Sequence, residues 1–283
     1  MPGFEERAQE LLDRLRKDYE SGATALTLRT LRDMAAGVEA TKPHSGELAH
    51  WLEELRRARP SMIVIGNAMT KVASRMAEGD SPLAAVQQVT SELENASAAI
   101  AQHARRQIPP DAVIMTHSFS SVVLGLFRLL RRGQHNFSVI CTQSSPGLEG
   151  HELARILNDM SVPVTLITDA QMGLFIPRAD VVVTGCDTWL ADGHFINKSG
   201  TRLLALAAHA RNKPFWVLGD SFRHSSQTSD EASLEEMPVS ELNAPEGHWI
   251  TPRNIYFETI PQSLVSGGIN EQGVFSFPDW PQP

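Results

Sequence analysis

The sequence predicts an α/β protein in two parts. Residues 1–108 form an all-helical N-terminal domain, and residues 109–283 form a mostly parallel sheet with flanking helices. Three observations predict this. Apolar residues recur at helical spacing through the first third of the chain. The proline-rich break Ile108-Pro109-Pro110-Asp111 ends that pattern. Beyond it, short apolar runs alternate with helical segments, which implies βαβ units.

The helical part reads as five elements. Phe4, Ala8, Leu11, Leu12 and Leu15 mark the first, which Ser21-Gly22 breaks. Leu28, Leu31, Met34 and Val38 mark the second, and Lys42 to Gly46 is a turn. Ser45 is placed to cap a third helix carrying Leu48, Trp51, Leu52 and Leu55. Arg59-Pro60 interrupts before a fourth, Met62 to Met76. Ser81-Pro82 is a cap and first-turn pair for a fifth, over 82–107. The strands expected next are 112–116, 138–142, 164–168, 181–185, 215–219 and 255–258, with helices near 120–132, 148–160, 170–177 and 201–212. Residues 224–247 are polar and acidic and read as a long surface loop. The tail after Ser276 is rich in proline.

Composition narrows the function. The chain is 42% hydrophobic and 20% charged, as ordinary globular proteins are. Its net charge of −8 does not favour a nucleic-acid surface, so no direct nucleic-acid partner is expected. Two cysteines, Cys141 and Cys186, rule out a disulfide scaffold or a Cys-rich zinc site. No apolar run reaches the roughly 20 residues that span a bilayer, so no membrane partner is expected. The acidic, amphipathic N-terminus is unlike a signal peptide. A cytoplasmic location is the expectation.

The chain is organised around Val181 to Thr201. A buried strand stops at Cys186-Asp187, a short loop follows, and Asn197-Lys198-Ser199-Gly200-Thr201 precedes a helix. A carboxylate at a strand end, then an amide and an ammonium before a helix, suits a phosphorylated polar ligand. Ligands of open α/β sheets sit at the carboxyl ends of strands. Helix N-termini offer free N–H groups to phosphate. Other signatures fail: there is no G-x-G-x-x-G after a strand, no P-loop, no G-x-S-x-G elbow and no H-E-x-x-H.

In order along the chain stand Arg59-Pro60-Ser61-Met62 with Asn67, Ile114-Met115-Thr116-His117-Ser118 and Gln143-Ser144-Ser145-Pro146-Gly147-Leu148-Glu149-Gly150. Then come Thr165-Leu166-Ile167-Thr168-Asp169, Gly185-Cys186-Asp187, Asn197-Lys198-Ser199-Gly200-Thr201 and Glu271-Gln272-Gly273. Each is weak alone, but the order is specific. The chain resembles the alpha/beta/delta subunits of translation initiation factor 2B. It also resembles their enzyme relatives, methylthioribose-1-phosphate isomerase and ribose-1,5-bisphosphate isomerase. The resemblance implies a helical domain, a Rossmann-like second domain and a homodimer built largely through the latter. It also implies ligand contacts for Arg59, Asn67, His117, Ser144, Ser145, Asn197 and Lys198, with Asp187 and Ser118 at the catalytic positions. Two departures stand out. Those isomerases carry a catalytic cysteine where this chain has Ser118, and the family usually has an arginine at Ser145. Neither Cys141 nor Cys186 aligns with the missing cysteine.

Each residue has a blander reading. Asp187 is also a fitting strand-end cap, Lys198 a solvated helix-start lysine and Arg59 a surface ion-pair partner. Ser118 also fits a strand end or a cap of the next helix, and lacks an activated-base arrangement apart from His117, which on an extended strand points the other way. Asp169 reads as structural, holding the loop after its strand. Three functions compete. The first is a regulatory binder of a phosphorylated sugar or nucleotide that lacks the isomerases' cysteine. The second is an aldose-1-phosphate isomerase with Asp187 as its acid–base group. The third is a structural dimer subunit with a vestigial pocket. Neither of the first two requires a redox cofactor or a metal.

Overall fold

The computed structural model describes residues 3–17, 22–59 and 62–275. Ser21 of the first expected break, the Pro60-Ser61 part of the Arg-Pro segment and the tail after Ser276 lie outside the described residues. The chain divides into two compact units. The first runs to Ser97 and includes Asp220–Arg223; the second holds Ala98–Gly219 and the chain from His224 onward. The division thus falls earlier than the Ile108-Pro109 break, inside a continuous helix, and a short excursion late in the sequence returns to the first unit.

In the first unit, α1 (Phe4–Lys17) buries Ala8, Leu11, Leu12 and Leu15 on one stripe. The α2 helix (Ala23–Thr41) ends where Lys42 turns left-handed and its N–H reaches the Val38 carbonyl. The third helix, α3 (Ser45–Ala58), begins at Ser45 itself, so His44 holds the cap position, its N–H on the Glu47 carboxylate at 2.9 Å. The fourth is α4 (Ile63–Ala77) and the fifth α5 (Pro82–Arg105). Ser81 Oγ accepts the Ala84 N–H with Pro82 as first helical residue, as the sequence implied. Leu31, Leu48, Trp51, Leu55, Ile65, Val86 and Phe222 share the core of this unit.

The second unit is a seven-stranded sheet with a small three-stranded one beside it. The large sheet contains β1 (Ala112–Thr116), β2 (Phe137–Thr142), β3 (Val164–Ile167), β4 (Val181–Gly185), β7 (Phe215–Leu218), β9 (Gly267–Asn270) and β10 (Gly273–Phe275). Their order is β10-β9-β7-β4-β1-β2-β3, parallel except for β10. Glu271 and Gln272 make the turn into β10. Alternate residues cover the two faces. Ile114, Val139, Val181 and Val183 pack with α6 (Ser121–Arg132) and α7 (Glu149–Asp159). Met115, Ile140 and Val182 pack with α8 (Met172–Phe175) and α9 (Thr201–Ala210). Strands buried on both faces must be apolar throughout, which is why Val181–Val183 reads as an unbroken run.

The small sheet is antiparallel: β5 (Thr188–Trp189), β6 (His194–Lys198) and β8 (Phe257–Pro261). Here the structure departs from expectation. The loop expected after Asp187 contains two strands, and the strand expected at 255–258 starts at Phe257 and leaves the parallel sheet. The glycine-rich run Gly267-Gly268-Ile269-Asn270 is a strand although glycine disfavours one. Its Gly267 lies against the Phe275 backbone, where an added Cβ would meet a carbonyl oxygen at 2.3 Å. Residues 224–247 are largely irregular, as expected, with a single 3-10 turn at Val239–Leu242. No helix of the described residues is long and apolar enough to cross a membrane.

Candidate functional site

The strand order places a switch point between β1 and β4. From β1 the chain winds outward through β2 and β3, then returns to the opposite side of β1 for β4. Crevices at such points are where open α/β sheets hold ligands. Register sets Ile114 beside Val181 and Met115 beside Val182. The two strands are therefore direct neighbours, and Ser118 and Asp187 stand just beyond their adjoining ends. The fit is tight: a Cβ on Gly185 would lie 2.6 Å from Ser120 Oγ.

Asp187 opens a ribbon rather than a loop. Thr188 pairs with Ile196 and Trp189 with Phe195, and the Asp187 N–H donates to the Ile196 carbonyl at 2.8 Å. The paired register stops at Thr188, and Asp187 reaches back through its N–H to the same Ile196 that Thr188 faces. Within β6, Asn197 and Lys198 point to opposite faces. Asn197 is buried, and its Nδ2 donates to Thr201 Oγ1 at 2.9 Å.

Lys198 is 3% exposed, far from the solvated lysine its sequence position allowed. Its ammonium lies 2.6 Å from Glu149 Oε1 and 3.5 Å from the centroid of the Tyr256 ring. The anion that offsets its charge is thus Glu149. The first turn of α9 is likewise occupied. Glu258 Oε1 accepts from the Gly200 N–H at 2.7 Å and the Arg202 N–H at 2.9 Å. Two of the N–H groups expected to be free for phosphate at this terminus are thus taken by a carboxylate.

A directed chain of hydrogen bonds wires the strand ends together. The Ser199 carbonyl can only accept, so His117 Nε2 carries the proton across their 2.8 Å contact. Burial pushes the His117 pKa down and keeps the ring neutral, leaving Nδ1 an acceptor for Thr142 Oγ1 at 2.6 Å. Thr142 Oγ1 in turn accepts from Ser144 Oγ at 3.1 Å, and Ser144 Oγ accepts the Ser118 N–H at 2.8 Å. Both nitrogens of His117 are engaged inside the protein. Asp169 completes the frame by accepting from the backbone N–H groups of Ser144 (2.9 Å) and Ser145 (2.7 Å).

This frame holds the backbone in unusual conformations. Ser118, Ser144 and Leu148 all have positive φ, at 64°, 62° and 58°. Left-handed non-glycine residues cost free energy and gather at functional sites. Ser118 is therefore not on an extended strand, as the sequence reading assumed. Gly150 packs against the same loop so closely that a Cβ would lie 1.7 Å from the Thr142 carbonyl oxygen.

The structure thus brings Ser118, His117, Ser144, Ser145, Asp187, Asn197 and Lys198 to strand ends of the second unit. Arg59 and Asn67 belong to the first unit. Arg59 is buried and donates to the Leu15 carbonyl at 3.3 Å, so it is no surface residue. Asn67 Nδ2 donates to the Phe222 carbonyl at 2.6 Å. Cys141 and Cys186 are both buried, and burial pushes the Cys141 thiol up to about 11. Among the described residues, no group of three or more His, Cys, Asp and Glu could hold a metal ion. The sequence reading passed over Glu149, Thr142, Tyr256 and Glu258. Glu149 was visible within the Gln143–Gly150 segment, whereas Tyr256 and Glu258 had no local signal.

Comparison with known proteins adds to this geometry. The model of the Initiation factor 2 subunit family matches residues 16–277. A Pyrococcus furiosus protein named for its likeness to subunit 2 of translation initiation factor eIF-2B is 38% identical over 182 residues, and that match spans 64% of either chain. The ribose 1,5-bisphosphate isomerase of Archaeoglobus fulgidus is 30% identical over 80% of this chain and 75% of its own. The crystal structure of the Pyrococcus horikoshii translation initiation factor eIF-2B superposes with a TM-score of 0.83 at 29% identity, covering 98% of both chains.

Proposed function

The chain belongs to the Initiation factor 2 subunit family, and on that premise we propose that it is a regulatory binder of a phosphorylated sugar or nucleotide rather than an isomerase. One observation carries this reading. His117, the imidazole next to Ser118, has both ring nitrogens engaged, by Thr142 and Ser199. It cannot take the proton of Ser118, and a serine hydroxyl does not ionise near neutral pH without an adjacent base. A cysteine there would differ, since a thiol pKa near 8.5 supplies some thiolate. Ser118, Ser145, Asp187 and Asn197 offer hydroxyl, amide and carboxylate groups to a sugar, while Ser144, wholly buried, holds the Ser118 backbone. Lys198 supplies the cation, shared with Glu149. The Ser145 hydroxyl cannot replace the planar fork of an arginine at a phosphate.

The isomerase reading keeps one specific support: Asp187 follows the strand next to the one that precedes Ser118, and a carboxylate in such a position suits proton transfer at a sugar carbon. NMR of the anomeric carbon decides between them. The wild-type protein binds ribose 1,5-bisphosphate and leaves it unconverted, and Ser118→Cys gains slow conversion. Rapid wild-type conversion that Asp187→Asn abolishes would make this an isomerase without the cysteine. Lys198→Ala weakens binding by about 1.5–3 kcal/mol, the scale of a hydrogen bond to a charged group. Unchanged affinity by calorimetry removes Lys198 from the site. A homodimer through the second unit is part of this proposal. Leu174 (68% exposed) and Leu203 (65%), from the packed pair α8 and α9, supply an apolar face. Light scattering that finds a monomer at micromolar concentration rejects it.

A further inference from the structure

Residues 235–256, within and beyond the acidic segment singled out in the sequence, form a closed strap. Its two limbs are pinned at the base. The Met237 N–H donates to the Asn254 carbonyl at 2.8 Å. Asn254 Nδ2 donates to the Pro238 carbonyl and to Glu241 Oε2, both at 3.0 Å. The Arg253 guanidinium grips both oxygens of Glu236, at 2.6 and 3.0 Å. Tyr256 Oη donates to Glu241 Oε2 at 2.5 Å. Burial, with Glu241 beside it, pushes the Tyr256 pKa up, so the phenol stays a donor. The base is also tied to the turn after β6: Ser199 N–H donates to the Tyr256 carbonyl at 2.8 Å and Ser199 Oγ to the Ile255 carbonyl at 2.7 Å. The far end of the strap is open to solvent, with Trp249 92% exposed.

What the strap presents inward is the Tyr256 ring, centred 3.5 Å from Lys198 Nζ. A lysine stem is flexible, carrying about 2 kcal/mol of rotamer entropy, and its ammonium is strongly hydrated. At Lys198 the ring face stands where water would, and Glu149 takes a second direction. Together they restrict the directions from which a ligand atom can reach the ammonium. Glu241 fixes the ring by its hydroxyl, and the ring with Glu149 fixes the ammonium.

We infer that Tyr256 and Glu241 are positioning residues for Lys198, and that the strap sets how strongly the candidate site holds its ligand. The inference rests on the preceding reading that Lys198 contacts the ligand. It goes beyond that reading in tying the site to a solvent-exposed segment that carries no ligand group itself.

The test uses the full chain labelled with 13C-lysine, and it reads Lys198 without any ligand. Ring current shifts the Lys198 Hε resonance upfield in the wild-type protein. Tyr256→Leu abolishes that shift. Tyr256→Phe and Glu241→Ala, which free the ring, reduce it. Glu241→Gln keeps an acceptor for the phenol and retains it. Calorimetry with ribose 1,5-bisphosphate follows the same order: Tyr256→Leu binds about tenfold more weakly, within the range of a desolvated cation–π contact. Glu241→Gln binds as the wild type does. A Lys198 resonance unmoved in Tyr256→Leu overturns the proposal. So does a Glu241→Ala protein that loses thermal stability while resonance and affinity stay put, because the strap is then only structural. Should the wild-type protein fail to bind ribose 1,5-bisphosphate, the binding function falls, while the lysine resonances still decide whether the strap holds Lys198.

Discussion

The helical unit and the strand ends of the α/β unit are held by different means. In the first, Leu12, Leu31, Leu55 and Ile65 are almost wholly buried. Of its buried threonines, Thr27 and Thr30 return hydrogen bonds to their own helix, at the Ala23 and Leu26 carbonyls, and Thr24 alone accepts from a remote partner, Arg223, at 2.6 Å. At the strand ends, Thr116, His117, Thr142, Ser144, Asn197, Lys198 and Thr201 are buried together. Several of their partners are remote in sequence: Ser144 lies 26 residues from Ser118, and Ser199 lies 82 from His117. Apolar packing is non-directional and tolerates exchange of like for like. A buried polar chain is directional, and removing one member leaves another unsatisfied. The α/β unit thus spends order on geometry at one end of its sheet, and the left-handed Ser118, Ser144 and Leu148 lie in that same region.

Two substitutions test the contrast, read by 19F-tryptophan NMR with Trp51 in one unit and Trp189 and Trp216 in the other. Gly150→Ala has the largest expected effect, about 4 kcal/mol lost by the α/β unit. Its methyl would have to share space with the Thr142 carbonyl, and backbone cannot give way as a side chain can. The Trp189 and Trp216 signals then melt early while Trp51 keeps its transition. Leu55→Ala does the reverse, costing the helical unit about 3 kcal/mol through lost burial and a cavity. Joint melting of all three signals in either variant would mean the contrast is one of composition and not of stability.

The same contrast governs what the sequence could show. Helices of the first unit were legible because their signal is local: Leu11, Leu12 and Leu15 announce a stripe within one turn. Strands β1, β2 and β4 were legible because burial on both faces demands unbroken apolar runs. The Ser118–Asp187 convergence could be stated only as a condition, since strand order is not local, and β1 beside β4 fulfils it. The β5–β6 ribbon reads as a loop because Thr188-Trp189 is too short to carry a period. Lys198 was read beside a helix terminus, and its true partner Glu149 lies 49 residues away. Glu258, which occupies that terminus, is 56 residues from Arg202. Sequence named several of the groups at the strand ends, such as Ser118, Asp187 and Lys198, but neither their remote partners Glu149, Tyr256 and Glu258 nor which groups pair.

The smallest expected effect concerns His117, and it separates polar wiring from mere burial. Desolvation lowers its pKa in the folded protein below the ordinary value near 6.5. The unfolded chain therefore binds a proton more readily than the folded one, and stability rises with pH wherever that holds. The His117 contribution is complete above about pH 6.5 and is lost as pH falls below it, with a slope no steeper than about 1.4 kcal/mol per pH unit. His117→Asn removes the titration. Its Nδ2 can still donate towards Ser199 and its Oδ1 can still accept from Thr142, although the shorter side chain stretches both contacts. The expected outcome is a variant less stable at pH 7.5 whose deficit shrinks as pH falls from about 6.5 towards 5, followed by urea melts of the Trp189 signal. A deficit that stays constant over that range would show that His117 contributes by packing alone, and the directed chain from Ser118 to Ser199 would lose its neutral link.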